Sequence, residues 1–139
     1  MTSTVTHPAR AAARRSMEAV SRGAKDEWLA LFAEDAVVED PVGSSMFDPE
    51  GVGHHGKAAI SAFWDKAIAL AERFEFDIRD SFAAGSEVAN VGTISAFLPG
   101  DMRVDTEGVF VYRVNEAGQI LSLRAFWETD RAMATARRV

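Results

Sequence analysis

The chain has 139 residues, of which 47% are hydrophobic, so its length and composition predict one globular domain with one core over residues 1–139. The formal net charge of −6 argues against nucleic acid as a partner, because phosphate binding requires a basic face. The absence of cysteine excludes a disulfide framework and a thiolate zinc site. No apolar run approaches a membrane span, and the N-terminus lacks the apolar core of a signal peptide. These observations predict a cytoplasmic protein with no membrane partner.

The first half of the chain carries helix signals. Pro8 suits the first turn of a helix and Gly23 suits its C-terminal cap, which predicts a first helix over 8–22. A second, shorter helix is predicted over 25–33. The third helix is the clearest, because its apolar residues follow the i, i+3, i+4, i+7, i+8, i+11 spacing of a single stripe: Ile60, Phe63, Trp64, Ala67, Ile68 and Ala71.

Between the second and third helices the pattern changes. The pair Val37 and Val38 predicts a short strand, and 41–55 is rich in Gly, Pro, Ser and Asp, which is typical of a loop. Beyond residue 73, turn residues separate four apolar runs. These runs predict strands over about 74–83, 87–98, 102–114 and 119–129.

Consecutive strands joined by short turns favour a mostly antiparallel sheet. Helices that precede such a meander indicate the α+β class, with three N-terminal helices packed on one face of the sheet. Because a sheet of this length curls, helices on its concave face make a cone-shaped fold that leaves a pocket between the two layers.

Strand parity predicts which side chains line this pocket. Phe110 and Tyr112 share one face of the third long strand, and Leu123, Ala125 and Trp127 share one face of the last. The opposite faces also carry large apolar residues. Since a monomer rarely exposes such a surface, we expect a homodimer through the outer sheet face.

Asp40 is the candidate catalytic residue. It follows the apolar pair Val37 and Val38 and precedes Pro41, so it lies at the end of a strand beside the predicted pocket. Burial against Trp127 and Phe63 would raise its pKa and keep it a usable base near neutral pH. The alternative is structural, because an Asp before a Pro often only ends a strand and begins a turn.

Three segments resemble bacterial ketosteroid isomerases in order and spacing. They are the stretch WLALFAEDAVVEDPVG over 28–43, the pair His55-Gly56 before the third helix, and the turn 115–118 followed by LRAFW over 123–127. The resemblance covers most of the chain and identifies the nuclear-transport-factor-2-like, SnoaL-like superfamily, with actinobacterial ketosteroid-isomerase-like proteins as the most similar group. It implies a cone-shaped α+β fold, usually dimeric, with no metal or organic cofactor.

Function is carried over from this family residue by residue. In ketosteroid isomerases an Asp removes a proton next to a carbonyl and returns it two carbons away, while a tyrosine and a protonated acid donate hydrogen bonds to the enolate oxygen. The base corresponds to Asp40, the tyrosine to Ser16 and the acid to Phe110. Two supporting tyrosines correspond to positions near Phe32 and Trp64. The resemblance therefore retains the base and loses both usual donors.

Tyr112, the only tyrosine, is the first candidate for a replacement donor, because it shares a strand face with Phe110. Trp64 and Ser16 are the other candidates. The alternative is that Tyr112 is a wall residue with a locally satisfied hydroxyl. Loss of one oxyanion donor typically costs about a hundred- to a thousand-fold in rate, so we expect slow catalysis.

The sequence thus favours a steroid Δ5-isomerase-like enzyme that moves a proton on carbon in an apolar pocket. The substrate-binding candidates are Met17, Val20, Phe63, Trp64, Phe110, Leu123, Ala125 and Trp127. A protein that binds a steroid-like apolar molecule without turnover is the alternative. A weaker one is a relative of epoxide hydrolases or polyketide cyclases. Epoxide hydrolases of this kind use two acids and an arginine; Arg103 and Asp105 are suggestively spaced for this, but they are expected on a different strand and no counterpart set is in register.

Residues 51–56 also match the dinucleotide pattern G-x-G-x-x-G. No buried strand leads directly into them and no alternating βαβ pattern follows, so the pattern is interpreted as a loop. The adjacent His54 and His55 likewise do not predict a metal site, because adjacent side chains rarely converge and no further ligand stands at a suitable spacing.

Overall fold

The structure, a computed structural model, describes residues 6–139, so the first five residues of the predicted domain lie outside the described residues. The helices are α1 (Pro8–Ser21), α2 (Lys25–Ala30), α3 (Gly56–Lys66) and α4 (Thr129–Met133). The strands are β1 (Phe32–Glu39), β2 (His54–His55), β3 (Arg73–Ala84), β4 (Glu87–Leu98), β5 (Met102–Val114), β6 (Ile120–Phe126) and β7 (Arg137–Arg138). A 3₁₀ turn over Ile68–Leu70 follows α3.

These elements confirm the predicted α+β class with a curved, mostly antiparallel sheet. The strand order is β2-β1-β6-β5-β4-β3, with β7 paired to β5. All pairings are antiparallel except that of β1 with β6, which is parallel. Strand β3 is therefore an edge strand of the sheet. Because β1 and β6 are parallel, their C-terminal ends lie side by side.

Helix α1 has the boundaries that its end residues indicate. Pro8 occupies the first turn, the ring Nδ1 of His7 accepts from the backbone N–H of Ala9 at 3.1 Å, and Gly23 adopts a positive φ of 65° just after the helix. Its buried face consists of small residues, which lets the helix approach the sheet closely: Ala9, Ala12, Ala13, Ser16 and Ala19.

Several predicted boundaries were wrong. The second helix ends at Ala30, and Phe32 already begins β1, where it pairs with Ile120 of β6. The exposed Glu34 and Asp35 concealed this strand, because a bulge between Phe32 and Val37 turns them towards solvent. The predicted loop contains the short strand β2, which pairs with β1.

The C-terminal segment also differs from the prediction. The last long strand ends at Phe126 rather than near residue 129, and the chain then forms the fourth helix, α4. Helix α3 ends at Lys66, so its predicted extension to Ala71 is instead the 3₁₀ turn. The pairing of β5 with β6 shifts register at a bulge, since Arg113 pairs with Ser122 but Val114 pairs with Ile120. This bulge turns Ile120 into the core, whereas strict alternation would place it on the outer face.

The core lies between α1–α3 and the inner face of the sheet, and its largest fully buried side chains include Trp28, Phe32 and Ile60. Trp28 packs edge-on against Phe32 with ring centroids 4.7 Å apart. Among residues 6–139, no helix is both long and apolar enough to cross a membrane.

Candidate active site

An apolar cavity of about 320 Å³ lies between the helices and the sheet. This volume is at the lower end of the range of about 300–1,000 Å³ that is typical of small-molecule sites. The cavity is lined by inward-facing residues of β3, β4 and β5, by one side of α1, and by parts of α3, α4 and the 41–53 loop. Met46, Leu70 and Met133 line it while remaining 62%, 53% and 51% exposed, so they mark its mouth.

Asp40 is positioned by backbone pairing on both sides. Glu39 lies opposite Arg124 in the parallel β1–β6 ladder, and the N–H of Val42 donates to the carbonyl of Ala125 at 2.8 Å. Since neighbouring residues of a strand face opposite sides, Glu39 turns outward, where Arg124 Nε donates to its carboxylate at 2.9 Å, and Asp40 turns into the cavity.

The indole N–H of Trp127 donates a 2.6 Å hydrogen bond to Asp40 Oδ1. Burial raises the pKa of the Asp40 carboxyl above its ordinary value, and the Trp127 hydrogen bond opposes this rise only in part. A carboxylate with a raised pKa is a stronger base than an ordinary aspartate, and this one faces a largely apolar cavity.

Gly108 of β5 permits this arrangement at the end of β6. A Cβ atom at Gly108 would overlap the carbonyl oxygen of Phe126 and lie 3.0 Å from Trp127 Cβ. The absence of a side chain therefore lets the chain pass close to β5 as it leaves β6, and this path carries the Trp127 indole to Asp40.

Tyr112 belongs to a second polar group on the same cavity. Its hydroxyl lies 3.0 Å from Ser16 Oγ, and the indole N–H of Trp28 donates to Ser16 Oγ at 3.1 Å. An indole nitrogen can only donate, so Ser16 Oγ accepts there, and between Ser16 and Tyr112 either hydroxyl can be the donor. If Ser16 donates to Tyr112, the phenolic proton of Tyr112 is left for a group in the cavity.

Burial raises the pKa of Tyr112, and the negative charge of Asp40 raises it further. The phenol is therefore neutral near neutral pH and keeps its proton for donation. Tyr112 and Asp40 both line the cavity, so a weak acid and a carboxylate face one apolar space.

The structure brings most of the sequence-predicted site residues together. Besides Asp40 and Tyr112, the cavity lining includes the other predicted residues Ser16, Met17, Val20, Phe63, Phe110, Leu123 and Trp127.

Two predicted substrate-binding residues lie outside this lining. Trp64 packs into the core, with its ring 5.2 Å from that of Trp28, and is only 6% exposed. Ala125 is fully buried opposite Phe110 in the β5–β6 ladder. Trp64 belongs to a helical stripe wider than the cavity, and Ala125 is too short to reach past its neighbours. Helix and strand periodicity therefore predicted two lining residues that do not reach the cavity.

Sequence reasoning missed the contributions of β3, β4, α4 and the loop. Phe74, Phe76 and Ile78 of β3 line the cavity at alternate positions, as do Ile94, Ala96 and Leu98 of β4. Strand parity was the signal that could have found these six. No comparable signal marks Met46 and Phe47 in the loop, which reach the cavity only through the tertiary path of the chain.

The G-x-G-x-x-G segment has a structural role. The carboxylate of Asp48 accepts from the backbone N–H groups of Gly51, Val52 and Gly53 at 3.1, 3.3 and 2.7 Å. These N–H groups are therefore already occupied, and the segment itself contains β2, which pairs antiparallel with β1 and is not part of a βαβ unit. Over residues 6–139, no group of three or more His, Cys, Asp or Glu side chains has the arrangement of a metal site.

Arg103 and Asp105, the pair considered for epoxide hydrolysis, lie on β5 but on the face opposite Tyr112. Asp105 Oδ1 accepts from Arg103 Nε at 2.9 Å and from Ser95 Oγ at 2.7 Å, and its other oxygen lies 3.0 Å from Arg137. Burial alone would raise the pKa of Asp105, but these hydrogen bonds lower it overall. The pair does not line the cavity, so it is an ion-pair cluster of the outer face.

The fold is an α+β fold of nuclear-transport-factor-2-like architecture with an apolar cavity between its helices and its sheet. The family model for the SnoaL-like domain matches residues 13–123. The chain therefore belongs to the SnoaL-like domain family.

Three relatives give this membership a finer context. A steroid Delta-isomerase of Nocardioides simplex is 31% identical over 118 residues, which cover 85% of this chain and 88% of that protein. The structure of a Delta 5-3-ketosteroid isomerase from Mycobacterium sp. superposes with a TM-score of 0.84 at 35% identity, covering 95% of this chain and 98% of that one. RV0760c from Mycobacterium tuberculosis, in complex with estradiol-17beta-hemisuccinate, superposes with a TM-score of 0.84 at 34% identity, covering 95% and 99%. This homology supports an isomerase-like or steroid-binding role.

Proposed function

We propose that the chain is a cofactor-independent isomerase of the ketosteroid type, which converts a 3-oxo-Δ5 steroid or a similar polycyclic carbonyl compound to its conjugated isomer. The observation that carries the proposal is that the Asp40 carboxylate and the Tyr112 phenol line one apolar cavity with few other polar groups. The homology to steroid isomerases supports the same reaction class.

In the proposed reaction Asp40 removes a proton from the carbon between the carbonyl and the double bond. The electron pair of the broken C–H bond moves into a dienolate, and the negative charge collects on the carbonyl oxygen. Asp40, now protonated, returns the proton to the far carbon of the dienolate, so the double bond becomes conjugated and the carboxylate is restored. The raised pKa of Asp40 favours the first step, because a stronger base receives the proton.

Tyr112 is the proposed donor to the dienolate oxygen. Trp28 donates to Ser16, and in the proposed arrangement Ser16 donates to Tyr112, which leaves the phenolic proton for the substrate. Such a preorganised donor acts where charge develops and is worth about a hundred- to a thousand-fold in rate. Ser16 itself acts on Tyr112 and is a positioning residue.

The second candidate function is steroid binding without turnover. Phe110 lines the cavity at the position that corresponds to the family's protonated acid, and Ser16 replaces its tyrosine. An apolar side chain at Phe110 cannot stabilise an oxyanion, which favours slow chemistry or simple binding.

Purified protein mixed with a 3-oxo-Δ5 steroid separates the two candidates. The proposed isomerase predicts steady growth of the ultraviolet absorbance of the conjugated enone, above the rate in buffer and in a heat-denatured sample. Quenching of tryptophan fluorescence by the steroid measures binding in parallel. Saturable binding with no absorbance change would exclude the isomerase and favour the binding protein.

We also propose a homodimer through the outer sheet face. Val109, Val111 and Phe126 lie next to one another there, and Phe126 is 44% exposed. Light scattering of the purified chain is expected to give twice the monomer mass, and Phe126→Glu to give the monomer mass. A monomeric wild-type chain at micromolar concentration would exclude this assembly.

A further inference from the structure

A second depression, of about 710 Å³, lies between α1 and the edge strand β3. We call it the arginine groove. Its α1 side is formed by one face of the helix, with residues at helical spacing from Arg10 to Arg22, and its sheet side by Phe76, Ile78, Ser81 and Asn90. Nothing in the proposed isomerase reaction uses the polar residues of this groove.

The groove carries uncompensated positive charge at its N-terminal end. Over residues 6–139, no carboxylate lies within 4 Å of a guanidinium nitrogen of Arg10 or Arg14. Arg10 is nevertheless held in place, since its Nε donates to Ser81 Oγ at 2.9 Å and its Nη2 to the Ser81 carbonyl at 3.3 Å. Glu18, the acidic residue of the groove lining, lies near Arg22, whose guanidinium is at the other end.

A buried amide adds a neutral donor to this positive end. Asn90 is only 3% exposed and lines the groove, and its carboxamide oxygen accepts from Ser81 Oγ at 2.7 Å. Within the described residues its NH₂ group has no hydrogen-bond partner, so two donors remain for a guest. Guanidinium groups beside a buried amide NH₂ form a cluster of donors, and such a cluster suits a carboxylate or a sulfate.

The arginine groove adjoins the apolar cavity. Met17, Phe76 and Ile78 line both spaces, so these side chains form part of the wall between them. Methionine is unbranched and adapts its shape readily, so Met17 can yield to a ligand that reaches from one space into the other.

We propose that the natural ligand is amphipathic: its polycyclic apolar body occupies the cavity, and an anionic substituent reaches past Met17 to Arg10, Arg14 and Asn90. This inference rests on the proposed function and specifies its substrate class as carbonyl compounds that carry a carboxylate or a sulfate ester. The two anions share the same chemistry of recognition and differ in shape and charge distribution.

The test compares a 3-oxo-Δ4 steroid carboxylic acid with its methyl ester and with a sulfate ester of the same ring system. Affinity is measured by quenching of tryptophan fluorescence at low and high salt. The acid or the sulfate is expected to bind about tenfold more tightly than the methyl ester at low salt, and the difference is expected to shrink as salt screens the arginines. Whichever anion has the larger advantage identifies the substituent.

Arg14→Gln is the principal variant, because no hydrogen bond within the described residues ties the Arg14 side chain to the fold. It is expected to remove most of the advantage of the anionic ligand and to leave the affinity of the methyl ester unchanged. Arg15→Gln is the matched control, since Arg15 is exposed on the same helix and does not line the groove. Asn90→Leu, checked for folding by its thermal unfolding, is expected to act like Arg14→Gln.

Equal affinities of acid, sulfate and methyl ester in the wild-type protein would overturn the inference and leave the proposed isomerase standing. An equal loss in Arg14→Gln and Arg15→Gln would also overturn it, because the effect would then be one of net charge. Absence of binding by all three steroids, the methyl ester included, would instead refute the proposed function, and this inference with it.

Discussion

Trp127 and Asp40 lie 87 positions apart in the chain and meet in a 2.6 Å hydrogen bond from the indole N–H to the carboxylate. The parallel pairing of β1 with β6 brings the two strand ends together, and Gly108 lets the chain after β6 stay close to the sheet. Burial raises the pKa of Asp40, and this bond opposes the rise. The indole therefore holds the carboxylate in place and tunes its basicity.

Replacing Trp127 with Phe removes the hydrogen bond and keeps an aromatic wall. Because the bond lowers the pKa of Asp40, its loss is expected to raise that pKa further. The acid limb of the pH profile of kcat/KM should then lie at higher pH in Trp127→Phe than in the wild-type protein. Trp64→Phe is the matched control, since Trp64 lies in the core and does not line the cavity. An unchanged acid limb in Trp127→Phe would show that the bond does not tune the base.

The stability of the protein should also report on Asp40. A carboxyl group whose pKa is higher in the folded than in the unfolded state binds more protons when folded, so its contribution to the free energy of unfolding falls as pH rises between the two pKa values. Asp40→Asn removes this effect. We expect the variant to be more stable than the wild-type protein at pH 7 and to lose that advantage below about pH 4, the ordinary pKa of aspartate.

Urea unfolding of the two proteins across this pH range measures the difference. Glu39→Gln is the control, because Glu39 pairs with the exposed Arg124 on the outer side of the same strand. A stability difference between wild type and Asp40→Asn that does not change with pH would contradict a raised Asp40 pKa.

Tyr112→Phe removes the proposed donor without changing the shape of the ring. The rate of isomerisation is expected to fall by about a hundredfold or more, with little change in steroid affinity. Ser16→Ala should lower the rate less, and should cost about 1–3 kcal/mol in stability because the Trp28 N–H loses its acceptor in the core. Equal rates in wild type and Tyr112→Phe would exclude the phenol as the donor.

Gly108→Ala tests the close approach of β5 to the end of β6. The added Cβ atom would overlap the Phe126 carbonyl, so the chain after β6 must shift and Trp127 should leave Asp40. We expect a stability loss of about 1–3 kcal/mol together with the same shift of the acid limb as in Trp127→Phe. Gly85→Ala is the control: Gly85 has a positive φ of 59° with open space around it, so its substitution strains a turn far from the indole. A Gly108→Ala protein with the wild-type pH profile would show that Gly108 does not position Trp127.

Local signals in the sequence were sufficient for much of the fold. Pro8 and Gly23 delimit α1 because their backbone preferences act within one turn, and the alternation in β5 places Phe110 and Tyr112 on the inner face. Asp40 is found at the end of β1 because Pro41 cannot extend the strand.

The remaining features depend on tertiary contacts that no local pattern encodes. The start of β1 at Phe32 is set by pairing with β6, although the charged residues Glu34 and Asp35 follow within the strand. The bond between Trp127 and Asp40 requires the parallel pairing of β1 with β6, two strands far apart in the sequence. The loop residues Met46 and Phe47 reach the cavity through the path of 41–53. Trp64 has the periodicity of a lining residue, yet packing against Trp28 keeps it in the core.

In the proposed reaction Asp40 carries the proton between two carbons of the substrate. The most direct measurement is the rate of enone formation from a 3-oxo-Δ5 steroid by wild type and by Asp40→Asn at equal steroid occupancy, with occupancy set from fluorescence titrations. We expect Asp40→Asn to bind the steroid at least as well as wild type and to turn it over no faster than the background rate. Turnover by Asp40→Asn within a few fold of wild type would instead assign the base to another group.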